Sequence, residues 1–428
     1  MTDTQTITHT IQNGLTQRQI YKLVDRLLSG NFQEELELLK TLVTDIVERT
    51  EINITGGRIW QLHPYEESYT LKFQYGEIDT IPEDYTIAIE EQPIFNKLAS
   101  QRTVTNYETD TVLLEKGIKA YSATGVGELL KRAGGKFYNY ALAFNAPEIN
   151  QEFYETLNII GSAASAALRD LAHQAQEVRF KKDLDKASEI QHGLLPDHQL
   201  KFQDYDVFGV SLPDSVVGGD YFDYLHPLEN EDDRVGVVIS DAASKGLPAA
   251  IQALFVSGAI RMGISYGTKI SSMIARLNTL IYDTFPHERF VSLFYCELMA
   301  SESGLVLYAN AGHCSPLFYS AATKTIRELP PTGGLLGIIP HDKFRVENIN
   351  MECDDILLLY TDGINEAQDD EQNFFGTDRL EKLLKEYAHE DAHTIAYKIL
   401  GEVQKFNVGA TYTDDKTIVV IKRCKPKS

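Results

Sequence analysis

The sequence predicts an α+β protein in which a β-sandwich flanked by helices follows a smaller α+β domain and a helical linker. Three observations lead to this prediction. Beyond Pro196, short apolar runs alternate with turn residues, a pattern typical of many strands. Apolar residues at helical spacing recur in pairs of segments within the same half. The first 172 residues instead run through helices, strands and a closing helix.

The length of 428 residues allows two or three domains, each with its own hydrophobic core. Residues 1–14 are rich in Thr and Gln, and we predict that they are disordered. The rest is predicted to form a first domain at 15–172, a helical linker at 173–197 and a second domain at 198–428.

The charge balance limits the classes of partner. There are 62 acidic and 40 basic residues, and the resulting net charge of -22 disfavours binding to nucleic acid or to an anionic membrane surface. The 43% hydrophobic and 10% aromatic content is ordinary for a globular protein. We therefore expect proteins or small molecules as partners.

The cysteine pattern indicates a reducing compartment. Cys296, Cys314, Cys353 and Cys424 lie far apart with no CxxC pair, which argues against a zinc knuckle or a disulfide framework. The N-terminus is polar, and no uninterrupted apolar stretch reaches about 18 residues. We expect a cytoplasmic protein without a membrane span.

The first domain shows two helical patterns followed by strands. The helices are predicted from residue 15 and over 34–49, the strands at 57–62, 69–75 and 135–144 around a loop-rich middle, and a further helix from about residue 151. Residues 57–60, 94–99 and 138–144 give this domain a resemblance to GAF domains. The resemblance implies a sensor for a small-molecule ligand. A ligand-free dimerisation domain is the alternative, and no cysteine precedes residue 290 to hold a chromophore.

The last helix of this domain is predicted to continue to about residue 193. Its apolar residues have the spacing of a coiled-coil seam at Ala164, Leu168, Leu171, Ala175 and Val178. The phase then slips, because Lys182 and Asp185 stand where apolar residues are due, and a new seam starts as Leu184, Ala187, Gln191 and Leu194. One interpretation is a helix packed on its own domains. The other is a two-stranded signalling helix in a homodimer, whose register break lets the sensor reach the second domain.

The second domain is predicted to contain eight strands and four helices. The strands are expected at 205–211, 221–225, 235–240, 290–297, 304–310, 316–320, 355–361 and 417–422. The helices are expected at 247–262, 271–285, 377–387 and 391–406.

Four aspartates of this domain stand beside predicted strands: Asp220, Asp241, Asp362 and Asp414. A carboxylate at the end of a buried strand is costly to leave unpaired, because its charge loses water without gaining a partner. Mg²⁺ and Mn²⁺ prefer oxygen ligands and suit carboxylates that arrive from different strand ends. The pattern therefore indicates a metal-assisted hydrolase.

Six motifs in order resemble the SpoIIE/RsbU-type serine phosphatases, the bacterial branch of the metal-dependent protein phosphatases (PPM). They lie at residues 191–196, 217–223, 241–246, 310–313, 359–363 and 414–417, and the resemblance covers about 190–424. It implies a PPM-like sandwich and a protein serine/threonine phosphatase. It also implies a phosphorylated protein substrate, namely a STAS-type anti-sigma-factor antagonist.

The resemblance also assigns roles to single residues. Asp241 corresponds to the carboxylate that bridges two Mn²⁺ or Mg²⁺ ions, and the main-chain carbonyl of Ala242 to a ligand of the first ion. Asp362 and Asp414 correspond to ligands of the second ion, whereas Asp220 holds a water of the first. Gly219 and Asp415 are expected to support the site.

Other interpretations stay open for these residues. Asp220, Asp362 and Asp414 each occur in a context that also suits a turn. His313 could act as a general acid, although a histidine at a strand end is more often structural. Ser244 departs from the family pattern, in which glycine is common three residues after the bridging aspartate, so the affinity for metal is in question.

Two further functions remain as alternatives to a regulated phosphatase. The phosphatase fold could be a catalytically idle docking module in a partner-switching complex. A small-molecule phosphodiesterase driven by the sensor is a third hypothesis, which the order of the motifs does not support.

Overall fold

The computed structural model describes residues 20–48, 54–92, 94–107, 111–115, 120–132, 135–145, 151–226, 233–286, 288–409 and 414–424. The predicted disordered terminus, residues 1–14, lies outside these ranges. The chain divides into two compact units, Met1–Phe180 and Lys181–Ser428.

The first unit contains one antiparallel sheet with helices on both faces. Its elements are α1 (residues 20–29), α2 (Glu35–Val47), β1 (Gly56–Leu62), β2 (Ser68–Gly76), β3 (Thr86–Ala88), α3 (Ile94–Gln101), β4 (Thr103–Tyr107), α4 (Thr111–Glu115), β5 (Ala120–Arg132), β6 (Gly135–Asn145) and α5 (Gln151–His192). The strand order is β3-β2-β1-β6-β5-β4. Alternate residues of β6 face opposite sides, so Leu142 packs with α2 and α5 whereas Ala141 packs with α3.

The loop-rich middle expected for this unit is wrong. It contains α3, β4, α4 and the 13-residue strand β5, which pairs with both β4 and β6. The pairing of β5 with β6 shifts register between Val126 and Leu129, where Gly127 has a φ of 88°. A glycine-containing bulge interrupts the alternation of polarity by which a strand is detected in a sequence.

The second unit is a four-layer sandwich, with two sheets between two helical layers. Its elements are β7 (Gln199–Phe202), β8 (Tyr205–Leu212), β9 (Tyr221–Leu225), β10 (Arg234–Ala242), α6 (Leu247–Ser265), α7 (Ile270–Thr284), β11 (Val291–Met299), β12 (Leu305–Ala311), β13 (Leu317–Ser320), β14 (Thr325–Glu328), β15 (Glu347–Asn350), β16 (Ile356–Tyr360), α8 (Asp362–Asn365), α9 (Thr377–Tyr387), α10 (Ala392–Phe406) and β17 (Lys416–Arg423). The sheet orders are β15-β12-β11-β10-β9 and β14-β13-β16-β17-β8-β7. The predicted α+β class is thereby confirmed.

Both faces of the central strands are buried, which explains their nearly continuous apolar sequences. In β10, Val237 and Ile239 face the other sheet, while Val238 faces α6 and α7. In β16, Leu357 and Leu359 occupy the core between the sheets. The opposite faces of β16 and β17 pack on α9 and α10. Each sheet is therefore held between a helical layer and its partner sheet.

Helix α6 is the one helix among the described residues that is long and apolar enough to cross a membrane by length and composition. Its residues Ala253, Val256 and Ile260 are buried against the five-stranded sheet. This position in the sandwich accounts for the apolar residues on the buried face of α6.

The long helix α5 is continuous over 42 residues, and the division between the two units falls within it. The first predicted seam residues, Ala164 and Leu168, are buried in the core of the first unit. Val178, Phe180 and Ile190 are exposed on the second half of the helix. The interpretation of a helix packed on its own domain thus holds for the first seam residues, whereas Val178, the last residue of that seam, is exposed.

Candidate metal centre

The antiparallel topology brings the four predicted aspartates to one edge of the sandwich. β10 pairs with β9 so that Ser240 lies opposite Tyr221, which places Asp241 close to Asp220. β16 pairs with β17 so that Tyr360 lies opposite Ile418, and Asp362 therefore lies near the start of β17. In an antiparallel pair the end of one strand adjoins the start of the next. The two pairs thus deliver their carboxylates to the same edge.

Asp241, at the end of β10, is a strongly perturbed carboxylate of this cluster. Burial, followed by the charges of Asp362, Asp414 and Asp415, raises the pKa of Asp241 to about 8. A hydrogen bond with Asp220 partly offsets this rise. A group with this pKa is largely protonated at neutral pH unless a cation stabilises its charged form.

Asp220 is buried and is anchored by a hydroxyl from the other sheet. Thr361 Oγ1 donates to Asp220 Oδ2 at 2.7 Å. Burial first, and then the charge of Asp241, raise the pKa of Asp220 well above its usual range. The same Thr361 Oγ1 accepts a bond from the Thr417 backbone N–H at 3.0 Å. Thr361, the residue before Asp362, therefore joins Asp220 to the start of β17.

Asp362 and Asp414 lie on the more open side of the cluster. Burial, with Asp414 and Glu366 nearby, raises the pKa of Asp362. Lys245 Nζ lies 3.0 Å from Asp414 Oδ2. Asp362 and Asp414 also line an open cleft of about 310 Å³, together with Glu366, Asn407 and Lys416. This cleft provides an approach to the carboxylates from solvent.

The supporting residues act through the backbone. The Ala242 carbonyl accepts a bond from the Ser244 N–H at 2.6 Å, which leaves its second lone pair for a ligand. A Cβ atom on Gly219 would lie 3.2 Å from that same carbonyl oxygen, so the absence of a side chain permits the close approach. Asp415 accepts from the Gly219 N–H at 2.6 Å and from the Asp214 N–H at 2.8 Å. Asp415 thus holds the segment that leads to Asp220.

The donor set fits a pair of hard divalent cations. Carboxylate oxygens converge at one edge, and their burial and mutual repulsion raise the pKa values of Asp220, Asp241 and Asp362. A bound cation would remove the free-energy cost of keeping these carboxylates charged. Within the described ranges, no three His, Cys, Asp or Glu side chains already have the spacing of a metal site.

Asp223 and His313 lie outside this cluster. Asp223 is buried and accepts from the Tyr221 hydroxyl at 2.6 Å and from Arg261 Nε at 2.7 Å. His313 is buried, with Nδ1 2.8 Å from the Ser292 hydroxyl oxygen. Burial lowers the pKa of His313 to about 4, so the ring is neutral at pH 7. A neutral, enclosed imidazole favours the structural interpretation over a general acid.

Ser244, the departure from the family pattern, is tied to a helix. Its hydroxyl donates to Gln252 Oε1 at 2.8 Å, and Gln252 Nε2 donates to the Arg289 carbonyl at 2.9 Å. Gly246, which follows closely, has φ 65° and ψ -142°, a conformation that is essentially restricted to glycine. The loop after Asp241 is therefore held by α6 on one side and turned sharply on the other.

Two residues near the cluster were not predicted from the sequence. Thr361 bridges the sheets, although it stood within the motif that ends in Asp362 and Gly363. Cys314 lies close enough that the charges of Asp362 and Asp241 add to burial, which raises the pKa of its thiol to about 12. Neither side chain has a spacing or a charge that marks it in the sequence.

Comparison with known proteins identifies the second half of the chain. Residues 231–424 match the family model described as stage II sporulation protein E (SpoIIE). The phosphoserine phosphatase RsbU of Bacillus subtilis is 25% identical over 244 residues, which cover 57% of this chain and 71% of RsbU. Protein IcfG of Synechocystis sp. is 28% identical over 284 residues, which cover 58% of this chain and 43% of that protein.

A solved structure has the same fold. The SiaA-PP2C domain of Pseudomonas aeruginosa has a TM-score of 0.50 and 19% identity, and the match covers 58% of this chain and 98% of that domain. The predicted resemblance of the second half is confirmed by these matches. Residues 231–424 thus match the SpoIIE family model and resemble the phosphoserine phosphatase RsbU, and the second unit shares the fold of the SiaA-PP2C domain.

Proposed function

We propose that this chain is a cytoplasmic, metal-dependent protein phosphatase that hydrolyses phosphoserine or phosphothreonine on a protein substrate with two Mn²⁺ or Mg²⁺ ions. The observation that carries the proposal is the convergence of Asp220, Asp241, Asp362 and Asp414 at one edge of a SpoIIE-type domain. The likeness to RsbU, a phosphoserine phosphatase, supports the substrate class.

The residues divide between two cation positions. Asp241 would lie between the ions, with the Ala242 carbonyl and Asp220 on the first side and Asp362 and Asp414 on the second. Bound cations would lower the pKa of a water molecule and offset the charge of the phosphate. The hydrogen bond from Thr361 keeps Asp220 oriented toward the first position. The open cleft beside Asp362 and Asp414 leaves room for the phosphorylated side chain.

We further propose that the substrate is a STAS-type anti-sigma-factor antagonist and that the first domain is a GAF-like sensor for a small-molecule ligand. A homodimer would form along the second half of α5, where Val178, Phe180 and Ile190 are exposed. Such a helix could carry the state of the sensor to the phosphatase domain. A docking module without activity is the alternative, and retention of all four aspartates argues against it.

The test is Mn²⁺-dependent release of phosphate from p-nitrophenyl phosphate and from a phosphorylated STAS-domain protein. Asp241→Asn and Asp362→Asn are expected to lower the rate by at least about 100-fold, because each removes a charged cation ligand. Asp283→Asn is the matched control, since Asp283 is an exposed residue of α7. Full activity in both site variants would refute the two-metal assignment. Binding of the phosphoprotein by the wild type without turnover would favour the docking module.

A further inference from the structure

Gln191, in the last turn of α5, pairs with a peptide group next to the candidate metal centre. Gln191 Nε2 donates to the Gly218 carbonyl at 2.7 Å, and the Gly218 N–H donates to Gln191 Oε1 at 3.2 Å. Only the amide side chains, Gln and Asn, carry a donor and an acceptor that can pair in this way with the N–H and C=O of one residue. Gly218 is buried, so these bonds satisfy both of its backbone groups away from water.

Asp415 forms hydrogen bonds with the same segment of the chain, from the side opposite Gln191. Asp415 accepts from the Gly219 N–H at 2.6 Å and from the Asp214 N–H at 2.8 Å. A Cβ atom on Gly218 would lie 2.6 Å from Asp415 Oδ2, so there is no room for a side chain at this position. The chain therefore passes through a narrow space between Gln191 and Asp415 directly before Asp220.

The end of α5 is also connected to the residues that follow Asp220. The Leu194 carbonyl accepts from Arg261 Nη2 at 2.8 Å, and Arg261 Nε donates to Asp223 Oδ2 at 2.7 Å. Asp223 lies three residues after Asp220 in β9 and is buried. Contacts from the end of α5 and from Leu194, two residues beyond it, thus lie on both sides of Asp220 along the chain.

We propose that Gln191 is a positioning residue for the cation site, acting through Gly218 and Gly219 on the place of Asp220. This inference rests on the proposed function. Two successive glycines have no side chains with which to anchor their own backbone, and glycine is the most conformationally free residue. Without the Gln191 amide, both backbone groups of Gly218 lose their partners. The peptide must then move toward water, and Asp220 moves with it.

The test compares Gln191→Ala, Gln191→Glu and the control Glu189→Ala, which removes an exposed side chain two residues earlier in α5. Gln191→Glu keeps the shape and the acceptor but replaces the donor with an oxygen that faces the Gly218 carbonyl. Mn²⁺ binding to the full chain is measured by titration calorimetry. Amide hydrogen exchange over residues 214–220 is measured in the metal-free protein.

We expect both Gln191 variants to bind Mn²⁺ about tenfold more weakly. This is the low end of the loss of metal affinity that follows when a residue supporting a metal ligand is removed. We also expect faster exchange at Gly218 and Gly219, and wild-type behaviour in Glu189→Ala. The inference would be overturned if folded Gln191→Glu bound Mn²⁺ as tightly as the wild type does, because Gln191 would then be only structural. This holds even if Gln191→Ala has a lower melting temperature or fails to fold. Absence of Mn²⁺ binding and phosphate release in the wild type would instead refute the proposed function.

Discussion

Thr361 Oγ1 donates a 2.7 Å hydrogen bond to Asp220 Oδ2, and this bond joins the two sheets at the candidate metal centre. Thr361 follows β16 of the six-stranded sheet, whereas Asp220 precedes β9 of the five-stranded sheet. The hydroxyl also accepts from the Thr417 N–H. One small side chain therefore relates the positions of Asp220, Asp362 and the start of β17.

Replacement of Thr361 by Val should weaken both the fold and the site. The isosteric change removes the 2.7 Å hydrogen bond to buried Asp220, and we expect a loss of about 1–3 kcal/mol in the free energy of unfolding. Mn²⁺ affinity should fall about tenfold. Thr361→Ser is the control, because it keeps the hydroxyl. Urea unfolding and calorimetric titration check the two effects, and equal Mn²⁺ affinity in the Val and Ser variants would contradict this role.

Asp241 should make the metal-free protein less stable as the pH rises. Its pKa is about 8 in the folded chain, whereas the ordinary pKa of an aspartate is 3.8. Between these values the unfolded state has released the proton while the folded state retains it, so stability falls as pH increases. The free energy of unfolding of Asp241→Asn should therefore exceed that of the wild type by about 1–3 kcal/mol at pH 8 and by much less at pH 4.5. Urea unfolding in EDTA at both pH values measures this difference in the free energy of unfolding. A difference that is equal at the two pH values would contradict the prediction.

Cation binding should itself depend on pH. Below pH 8 a cation must displace the proton from Asp241, so the affinity for Mn²⁺ should weaken as pH falls from 8 to 6, by up to about tenfold per unit. Titration calorimetry in buffers of different ionisation enthalpy reports the number of protons released. Zero proton release at pH 7, with an affinity that does not change, would show that Asp241 is already charged in the metal-free protein.

Ser244 should contribute stability through its bond to Gln252. Gln252 is fully buried, so Ser244→Ala leaves its Oε1 without this donor and should cost about 1–3 kcal/mol. Ser244→Gly should cost up to about 1 kcal/mol more, because glycine adds freedom to the unfolded backbone. The difference between the two variants in Mn²⁺ affinity isolates the effect of loop stiffness. If the melting temperature is unchanged in both variants, the hydrogen bond between Ser244 and Gln252 contributes nothing to stability.

The continuity of α5 should matter for regulation. Deletion of one residue between Val178 and Leu184 rotates the helix that follows by about 100°. We expect basal phosphatase activity to change more than the helical circular dichroism or the melting temperature does. Lys182→Ala, which keeps the register, is the control. Unaltered rates in a folded dimer of the deletion variant would count against a signal carried by the register of this helix.

The elements of the second domain were predictable because each central strand is an uninterrupted apolar run bounded by turn residues. The predicted strand at 235–240 lies within β10, and the predicted helix at 377–387 coincides with α9. Short edge strands such as β14 were missed, since an exposed four-residue strand has neither apolar content nor length to mark it. β5 was missed for a different reason, because glycine and a register shift conceal its alternation.

The candidate ligands could be chosen from the sequence, because charge at the end of a buried strand is an energetic anomaly that is visible without coordinates. The hydrogen-bond partners that hold those ligands in place could not be predicted from the sequence. Gln191 and Gly218 are separated by 27 residues, and Gly219 and Asp415 by 196. No local pattern relates positions so distant in the chain.

The sequence by itself determined the type of the long elements of the second domain, the order of the motifs and the identity of the four aspartates. Local hydrophobic patterning and residue chemistry carry that information. Only the tertiary structure decided that Thr361 supports Asp220, that Asp415 and Gln191 hold the glycines before it, and that His313 is enclosed and neutral. Hydrogen bonds and burial depend on which surfaces meet when the two sheets pack, and that packing is a property of the whole sandwich.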